Sequence, residues 1–262
     1  MSKNKHRGIC HICGKFGELS FEHIPPYNAL NKYPATVYNG NEILKRYYGE
    51  KHKYVSMQRG MGKYSLCQQC NNLTGSWYAD TYCDYAKSVA YQLHEMAPLK
   101  HGDVIDFTFK DIPILFFAKQ IISMFCSLIP YEEVQRLAFD EFLLNKDSNS
   151  INTSLFDLRM FLAPIKTGQL STGIVQAFLK NSNNGISVAS IVDLAAYPFG
   201  FILNLTPDIK ISHGVSINEF LHTSPNEVFD IKIPLVCLER YNEDVPMPLA
   251  FKSLPTQNDD NK

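Results

Sequence analysis

Polar and apolar residues alternate over residues 18–24, and this period of two predicts a short strand with Leu19 and Phe21 on one face. Residues 27–63 follow no firm period, so we expect a long, basic, tyrosine-rich loop region with a short helix at about 42–48. From Gln68 onward, apolar residues recur every three or four positions, which predicts one long helix that ends before Pro98. Its expected buried face consists of Tyr78, Tyr82, Tyr85, Val89, Leu93 and Met96.

Residues 101–262 show a different pattern, in which two helical stretches precede a series of strand-like runs. The helices are expected at 113–129 and 131–144. The strands are expected at 104–109, 156–162, 173–179, 186–194, 199–205 and 228–238, with a hairpin loop at 181–185. Strands and helices that occur in separate runs are typical of an α+β fold with a mainly antiparallel sheet. We therefore predict an α+β protein of two domains, residues 1–100 and residues 101–262.

The chain of 262 residues is 45% hydrophobic, which is enough for a substantial buried core. No apolar leader follows the first residues, and the longest apolar stretch, 112–129, is interrupted by polar residues and a proline. We therefore expect no membrane partner. Seven cysteines, an odd number, in a chain without an export signal favour the reducing cytoplasm as its location.

The net charge of −1 conceals an asymmetry between the two halves of the chain. Residues 1–100 carry 13 Lys and Arg against 7 Asp and Glu, whereas residues 101–262 carry 12 against 19. The split suggests that the first half binds a polyanion, although two ordinary solvated surfaces would also explain it. The basic side chains of the tyrosine-rich loop region are candidates for nucleic-acid contacts: Lys45, Arg46, Lys51, Lys53, Arg59 and Lys63.

Two Cys-x-x-Cys pairs, Cys10 with Cys13 and Cys67 with Cys70, supply the four thiolates of a typical structural zinc site. The 53 residues between the pairs exceed the spacing in compact zinc ribbons, but the entropy of loop closure grows only slowly with length. Four unrelated buried cysteines are the alternative. A zinc ion with four sulfur ligands has no open position, so any catalysis must come from other residues.

Glu22 and His23 end the first predicted strand, and Asn71 directly follows the second cysteine pair, so zinc would bring these residues together. Glu22 and Asn71 offer oxygen ligands suited to Mg²⁺ or Mn²⁺, and His23 can act as a base near neutral pH. An ordinary exposed pair and a helix-capping Asn71 are the alternatives. Because adjacent side chains of a strand point to opposite faces, Glu22 and His23 can share a metal only if the strand ends irregularly. Pro25 and Pro26 favour such an irregular end.

The succession Cys-x-x-Cys, Glu-His-Ile-x-Pro and Leu-Cys-x-x-Cys-Asn-Asn resembles the HNH endonuclease family over residues 8–97. It is most similar to members whose ββα-metal motif is bracketed by a four-cysteine zinc site, as in some phage resolvases. The resemblance implies an N-terminal zinc-ribbon and ββα-metal domain. It assigns His23 to the activation of water, and Glu22 and Asn71 to the binding of the catalytic Mg²⁺ or Mn²⁺.

The chain departs from the family pattern at two places. The family usually has a Gly-Gly segment soon after the acidic-His motif, where this chain has Asn39-Gly40 and later Gly60-Met61-Gly62. Many members have Asn-Leu before the second cysteine pair, where this chain has Ser65-Leu66. These departures place the middle residue of the HNH motif in doubt.

The resemblance implies a metal-dependent endonuclease that hydrolyses phosphodiester bonds, with a structural zinc ion, and it favours DNA over RNA as the partner. Residues 101–262 resemble no family, and we expect an accessory α+β domain that could bind a regulatory protein or a second copy of the chain. The alternative is a non-catalytic module that keeps the zinc and the basic surface but binds nucleic acid or protein without cutting. Ser65 and the missing Gly-Gly segment favour this alternative.

Overall fold

The computed structural model describes residues 6–37, 42, 45, 48–163, 170–180, 186–238, 241–242 and 245–246. Its first strands are β1 (Arg7–Ile9), β2 (Phe16–His23), β3 (Ala35–Val37), β4 (Val55–Met57) and β5 (Gly62–Cys67). Strands β1, β2 and β5 form an antiparallel sheet in the order β1-β2-β5, and β3 pairs with β4. Helix α1 (Gln68–His94) starts directly after Cys67, so the strand that carries one cysteine leads into the helix that carries the next.

Helix α1 packs along helix α2 (Ile114–Leu128) at the centre of the molecule. The ring of Tyr82 in α1 stacks on Phe117 in α2, with the ring centroids 5.7 Å apart. The hydroxyl of Tyr78, which is also buried, donates a hydrogen bond of 2.8 Å to the backbone carbonyl of Leu143. The tyrosine-rich face of α1 that the sequence predicts is therefore a packing face, in which the hydroxyl groups of Tyr78 and Tyr85 are bound to backbone carbonyls.

The later elements follow α1 in the described part of the chain. The helices are α3 (Tyr131–Arg136) and α4 (Phe139–Leu144), with 3-10 helices at Thr153–Leu155 and Asn218–His222. The strands are β6 (Val104–Ile112), β7 (Asp157–Leu162), β8 (Leu170–Lys180), β9 (Ile186–Ala196), β10 (Phe199–Asn204), β11 (Val215–Ser216), β12 (Phe229–Val236), β13 (Tyr241–Asn242) and β14 (Val245–Pro246).

These strands form three antiparallel sheets. The largest has five strands in the order β11-β7-β10-β9-β8, while β6 pairs with β12 and β13 pairs with β14. The fold is thus a mixture of helices and antiparallel sheets, as the sequence predicts.

Three details of the predicted elements are wrong. Met96, which was expected on the buried face of the long helix, lies beyond the end of α1 and is exposed. The single helix expected at 131–144 is broken into α3 and α4, because Ala138 has a φ of 54°, outside the range of a right-handed helix. The region 27–63 is not one loop, since it contains β3, β4 and the start of β5. The expected helix at 42–48 and the hairpin loop at 181–185 lie largely or wholly outside the described residues.

The charged residue Lys119 lies fully buried in the apolar helix α2. Its ammonium group donates hydrogen bonds to the backbone carbonyls of Phe142, Asn145 and Lys146, at 2.9, 2.7 and 2.9 Å. These carbonyls belong to the last turn of α4 and the residues after it, which have no helical donors of their own. Burial lowers the pKa of Lys119 to about 8, and the three acceptors offset part of the cost of burying its charge.

Buried residues on both sides of residue 100 belong to one hydrophobic cluster, which includes Tyr82 of α1, Phe117 of α2 and Leu203 of β10. The core therefore has no break at residue 100, and a separate folding unit at 1–100 stays a prediction. No helix in the described ranges is both long and apolar enough to cross a membrane.

Candidate metal centre and the residues around it

The sulfur atoms of Cys10, Cys13, Cys67 and Cys70 all lie within 4.8 Å of one another, as the two Cys-x-x-Cys pairs predict. Those of Cys13 and Cys67 are 3.8 Å apart. Four sulfurs placed tetrahedrally around zinc, each about 2.3 Å from the ion, are separated from one another by about 3.8 Å. The cluster therefore has the dimensions of a structural zinc site.

The two cysteine pairs are brought together by the β2–β5 pairing and by a bulge at Ser65. This residue is the extra one in β5, since the pairing shifts register there. Its carbonyl accepts a hydrogen bond of 2.9 Å from the backbone N–H of His11, which lies between Cys10 and Cys13. The ring Nδ1 of His11 lies 3.0 Å from the carbonyl oxygen of Cys126, so the first cysteine turn is bound to both β5 and α2.

The sulfur atoms lie close enough to change one another's acidity. Hydrogen bonding from the Cys70 thiol and from backbone N–H groups near the sulfur lowers the pKa of Cys10 to about 4, against the opposing effect of burial. The same contact, together with burial, raises the pKa of Cys70 well above its ordinary value. Zinc binds thiolates and not thiols, so zinc binding at this cluster would release thiol protons.

Asn71, at the start of α1, contacts β2 at Ser20 and Phe21. The Nδ2 of Asn71 donates to the hydroxyl of Ser20 at 3.0 Å and to the carbonyl of Phe21 at 3.1 Å. Glu22 is two residues beyond Ser20, and the extra residue of the bulge between them belongs to β5 and not to β2. Alternation along β2 therefore directs the Glu22 side chain to the face that carries Ser20.

Glu22 is buried, with 7% of its surface exposed. Within the part of the chain that the structure describes, no hydrogen-bond or ion-pair partner of its carboxyl group is found, and burial raises its pKa to about 8. The Oδ1 of Asn71 likewise has no partner in that part of the chain, because both contacts of its amide use Nδ2. These two oxygen groups are the ones that could hold a divalent cation in addition to zinc.

His23 lies on the opposite face of β2, where its ring is 5.0 Å from the ring of Phe21. The irregular strand end that was expected between Glu22 and His23 is wrong. Both residues pair regularly with β5, opposite Lys63 and Gly62, and the register shift lies earlier, between Ser20 and Phe21. The structure thus does not bring His23 to the face that carries Glu22, and the two side chains leave the end of β2 in opposite directions.

The imidazole ring of His23 has a defined proton arrangement. Its Nε2 lies 2.9 Å from the backbone carbonyl oxygen of Arg59. Because a carbonyl only accepts, Nε2 is the donor of this hydrogen bond, which leaves Nδ1 as the ring nitrogen that can accept a proton. No partner of Nδ1 is found among the described residues, and the side chain is half-buried. His23 is therefore held by the backbone with one nitrogen available to accept a proton.

Asn31 is a residue of this region that the sequence analysis missed. It is buried, and its Nδ2 donates to the carbonyls of Pro25 and Met61 at 2.7 and 2.8 Å. The backbone N–H of Met61 donates to its Oδ1 at 2.7 Å. One side chain thus fixes the segment after His23 against the residue before β5. A lone asparagine in a loop carries no spacing signal, so the sequence pattern could not identify it.

Two glycines of the Gly60-Met61-Gly62 segment are required by close contacts. Gly60 has a φ of 82°, and a Cβ atom there would collide with the backbone oxygen of Asn31. A Cβ atom on Gly62 would collide with the Glu22 carbonyl oxygen and approach the Phe21 ring to 2.8 Å. These glycines therefore allow the loop and β5 to pack tightly against the end of β2. Asn39 and Gly40 lie outside the described residues.

The candidate nucleic-acid contacts are in different environments. Lys45 forms an ion pair of 2.8 Å with Glu42, and Arg46 lies outside the described residues. The exposed ones are Lys51, Lys53, Arg59 and Lys63. Contact with nucleic acid stays a prediction for all six.

Comparison of the chain with protein-family models, with curated protein sequences and with solved structures finds no match in any of the three.

Replacement of Glu22 by glutamine tests the buried carboxyl group directly. An acid whose pKa rises from 4.5 to about 8 on folding destabilises the protein increasingly as the pH rises between these values. In the absence of Mg²⁺ and Mn²⁺, Glu22→Gln should therefore gain stability relative to the wild type, by roughly 2–3 kcal/mol between pH 6 and pH 9. Chemical denaturation at each pH measures this difference.

The control for the exchange is Glu18→Gln, which changes an exposed residue on the same strand. A difference between Glu22→Gln and the wild type that stays constant from pH 6 to pH 9 would show that burial does not penalise the charge of Glu22.

Proposed function

We propose that this chain is an HNH-like, metal-dependent nuclease that hydrolyses phosphodiester bonds with His23 as the general base. The observation that carries the proposal is the arrangement of His23 at the end of β2. Its Nε2–H is bound to the Arg59 carbonyl, its Nδ1 is available as a proton acceptor, and a four-sulfur site holds the strand and helix beside it. A histidine oriented by a backbone carbonyl is a suitable general base near neutral pH.

Glu22 and the Oδ1 of Asn71 would hold the catalytic Mg²⁺ or Mn²⁺. Their fit rests on two observations within the described residues: the Glu22 carboxyl group is buried without a cationic partner, and the Oδ1 of Asn71 has no hydrogen-bond partner. When bound, the ion would neutralise charge on the phosphate and on the departing 3′ oxygen. Asn71 is itself oriented by Ser20 and Phe21, so its oxygen has a fixed position on β2.

His23 would accept a proton at Nδ1 from the water molecule that attacks phosphorus. The new bond joins the water oxygen to phosphorus, and the bond that breaks joins phosphorus to the 3′ oxygen, which takes a proton from solvent. The Arg59 carbonyl would stabilise the imidazolium that forms, because both ring nitrogens are then donors. General-base catalysis of this kind typically contributes on the order of 10²–10⁴ in rate.

The charge distribution supports a nucleic-acid partner for this function. The basic half of the chain carries the four-cysteine site and His23. The exposed Arg59 contacts His23 through its backbone carbonyl, and the exposed Lys63 is paired with Glu22 across β2 and β5. We propose DNA as the first substrate to test and the cytoplasm as the location, since seven free cysteines suit a reducing compartment. For residues 101–262 we propose a regulatory role, through a protein partner or a second copy of the chain.

A binding module without nuclease activity is the second candidate, and one observation favours it. The side chains of Glu22 and His23 leave β2 on opposite faces. A phosphate group would therefore have to lie at the end of β2 to contact both a metal ion bound to Glu22 and the base His23. The zinc site and the exposed basic residues would serve such a module equally well.

Metal titration of cleavage by the full-length protein tests the proposed role of Glu22 and Asn71. Glu22→Ala and Asn71→Ala should lower cleavage at limiting Mg²⁺, and high Mn²⁺ should restore part of it, since each exchange removes one oxygen ligand of the ion. The measurement is the initial rate of oligonucleotide cleavage as a function of metal concentration.

The matched control for this titration is Asn72→Ala. Asn72 directly follows Asn71 in α1, and its side chain is exposed. Metal dependence that is the same for the wild type, Glu22→Ala and Asn71→Ala would contradict the assignment of these ligands.

A further inference from the structure

Five rings form a continuous row across the β2–β5 surface. We call His6, Tyr64, Phe21, His23 and Tyr27, in this order, the aromatic row. The rings of His6 and Tyr64 are stacked with centroids 3.6 Å apart, and Tyr64 lies 5.3 Å from Phe21. Phe21 lies 5.0 Å from His23, and His23 lies 5.2 Å from Tyr27. Each ring thus touches the next, and the proposed general base is part of the row.

The aromatic row is open to solvent. Tyr27 and Tyr64 are 43% and 42% exposed, His6 is exposed, and Phe21 and His23 are half-buried. Helix α1 contacts the opposite face of β2, where Ser20 binds Asn71. Aromatic rings are costly to leave in water, and contiguous exposed rings therefore mark an interaction surface.

The charges around the aromatic row are complementary to a polyanion. The ammonium group of Lys32 lies 5.8 Å from the centroid of the Tyr27 ring. Arg59 is exposed, and its own backbone carbonyl is the group that binds His23. The acidic residues of β2, Glu18 and Glu22, alternate with Phe21 and His23 and so leave the other face.

We propose that the aromatic row is a stacking platform for unpaired bases of a single-stranded nucleic acid. Flat exposed rings flanked by cations bind single strands in this way, since bases stack on the rings while the cations contact phosphates. Bases in a duplex are already stacked on one another, so a duplex offers the row few free faces. A strand whose bases stack on Tyr27 and on the stacked pair of His6 and Tyr64 passes His23 between them. If the proposed nuclease function holds, its substrate is therefore a single strand or an unpaired segment.

Binding of labelled oligonucleotides to the full-length, zinc-loaded protein tests this platform. Fluorescence anisotropy is measured without added Mg²⁺ or Mn²⁺, with single-stranded DNA, single-stranded RNA and a DNA duplex of the same sequence. Tyr27→Ala and Tyr64→Ala should each weaken single-strand binding on the order of 5- to 150-fold, the range that stacking of one base on one ring gives. Tyr27→Phe and Tyr64→Phe should restore it, because the ring is kept.

Tyr91→Ala is the matched control, since Tyr91 is 70% exposed on α1 and is outside the aromatic row. Melting temperature and zinc content should stay near wild-type values in Tyr27→Ala. Tighter binding of either single strand than of the duplex supports the platform. The single strand that binds more tightly shows whether the platform prefers DNA or RNA. Equal binding of duplex and single strands, or wild-type affinity in both alanine variants, would overturn it.

The binding assay separates this proposal from the nuclease proposal. Single-strand binding that depends on Tyr27 and Tyr64 without any cleavage at added Mg²⁺ or Mn²⁺ supports the platform and rejects the nuclease. Cleavage that is unchanged in Tyr27→Ala and Tyr64→Ala rejects the platform and leaves the nuclease proposal intact.

Discussion

Exchange of Cys67 for serine should release the zinc ion and unfold the region around β1, β2, β5 and the start of α1. The four sulfurs join the turn after β1 to the junction of β5 and α1, so loss of one ligand affects every one of these elements. Structural zinc contributes roughly 10–16 kcal/mol in small peptides, which is comparable to the whole stability of a domain, about 5–15 kcal/mol. We expect about one zinc per wild-type chain by elemental analysis and a large fall in melting temperature for Cys67→Ser.

Cys83→Ser is the matched control, because Cys83 is buried in the same helix as Cys70 but is not part of the cluster. It should keep the zinc and lose no more than the roughly 1–3 kcal/mol that a buried hydroxyl without a partner costs. Folded wild-type protein without zinc, or Cys67→Ser with full zinc content, would rule out the structural site.

Exchange of His23 for alanine should abolish most of the cleavage while leaving the fold intact. A general base contributes on the order of 10²–10⁴ in rate, so the single-turnover rate should fall by that factor. The His23 side chain is half-buried, and within the described part of the chain its one hydrogen bond is to the Arg59 carbonyl, so the loss of stability should be small. Single-turnover rates, zinc content and melting temperature are the measurements.

His94→Ala is the control for this exchange, since His94 is exposed in the last turn of α1. It should cleave at the wild-type rate. A His23→Ala protein that cleaves as fast as the wild type would show that another group takes the proton.

The long helices and the cysteine site could be predicted because each depends on spacing within the sequence. Helix α1 repeats its tyrosines at helical intervals, and two Cys-x-x-Cys pairs have few structural explanations other than a shared metal. Strand β5 was missed because the bulge at Ser65 and the glycine at position 62 interrupt the alternation that marks a strand.

The remaining features of the site depend on contacts between distant residues. Asn31 holds the loop through hydrogen bonds to the carbonyls of Pro25 and Met61. The Met61 carbonyl is close to Asn31 only in the folded chain, so the sequence does not reveal this contact. Glu22 and His23 both stay in regular pairing with β5, so the irregular end that would unite them does not form. The aromatic row joins rings from β2, β5 and the segments that flank β1 and β2, so no single stretch of sequence contains it.

The most direct test of the central claim is cleavage of an end-labelled oligonucleotide by purified full-length protein that carries its zinc. Wild type and His23→Ala are compared in single turnover with added Mg²⁺, with added Mn²⁺ and with neither. The account predicts shortened products for the wild type only when Mg²⁺ or Mn²⁺ is present, with the rate on the order of 10²–10⁴ lower in His23→Ala. Intact oligonucleotide at every metal concentration, while the wild type still binds it, would contradict the nuclease and leave a nucleic-acid-binding module.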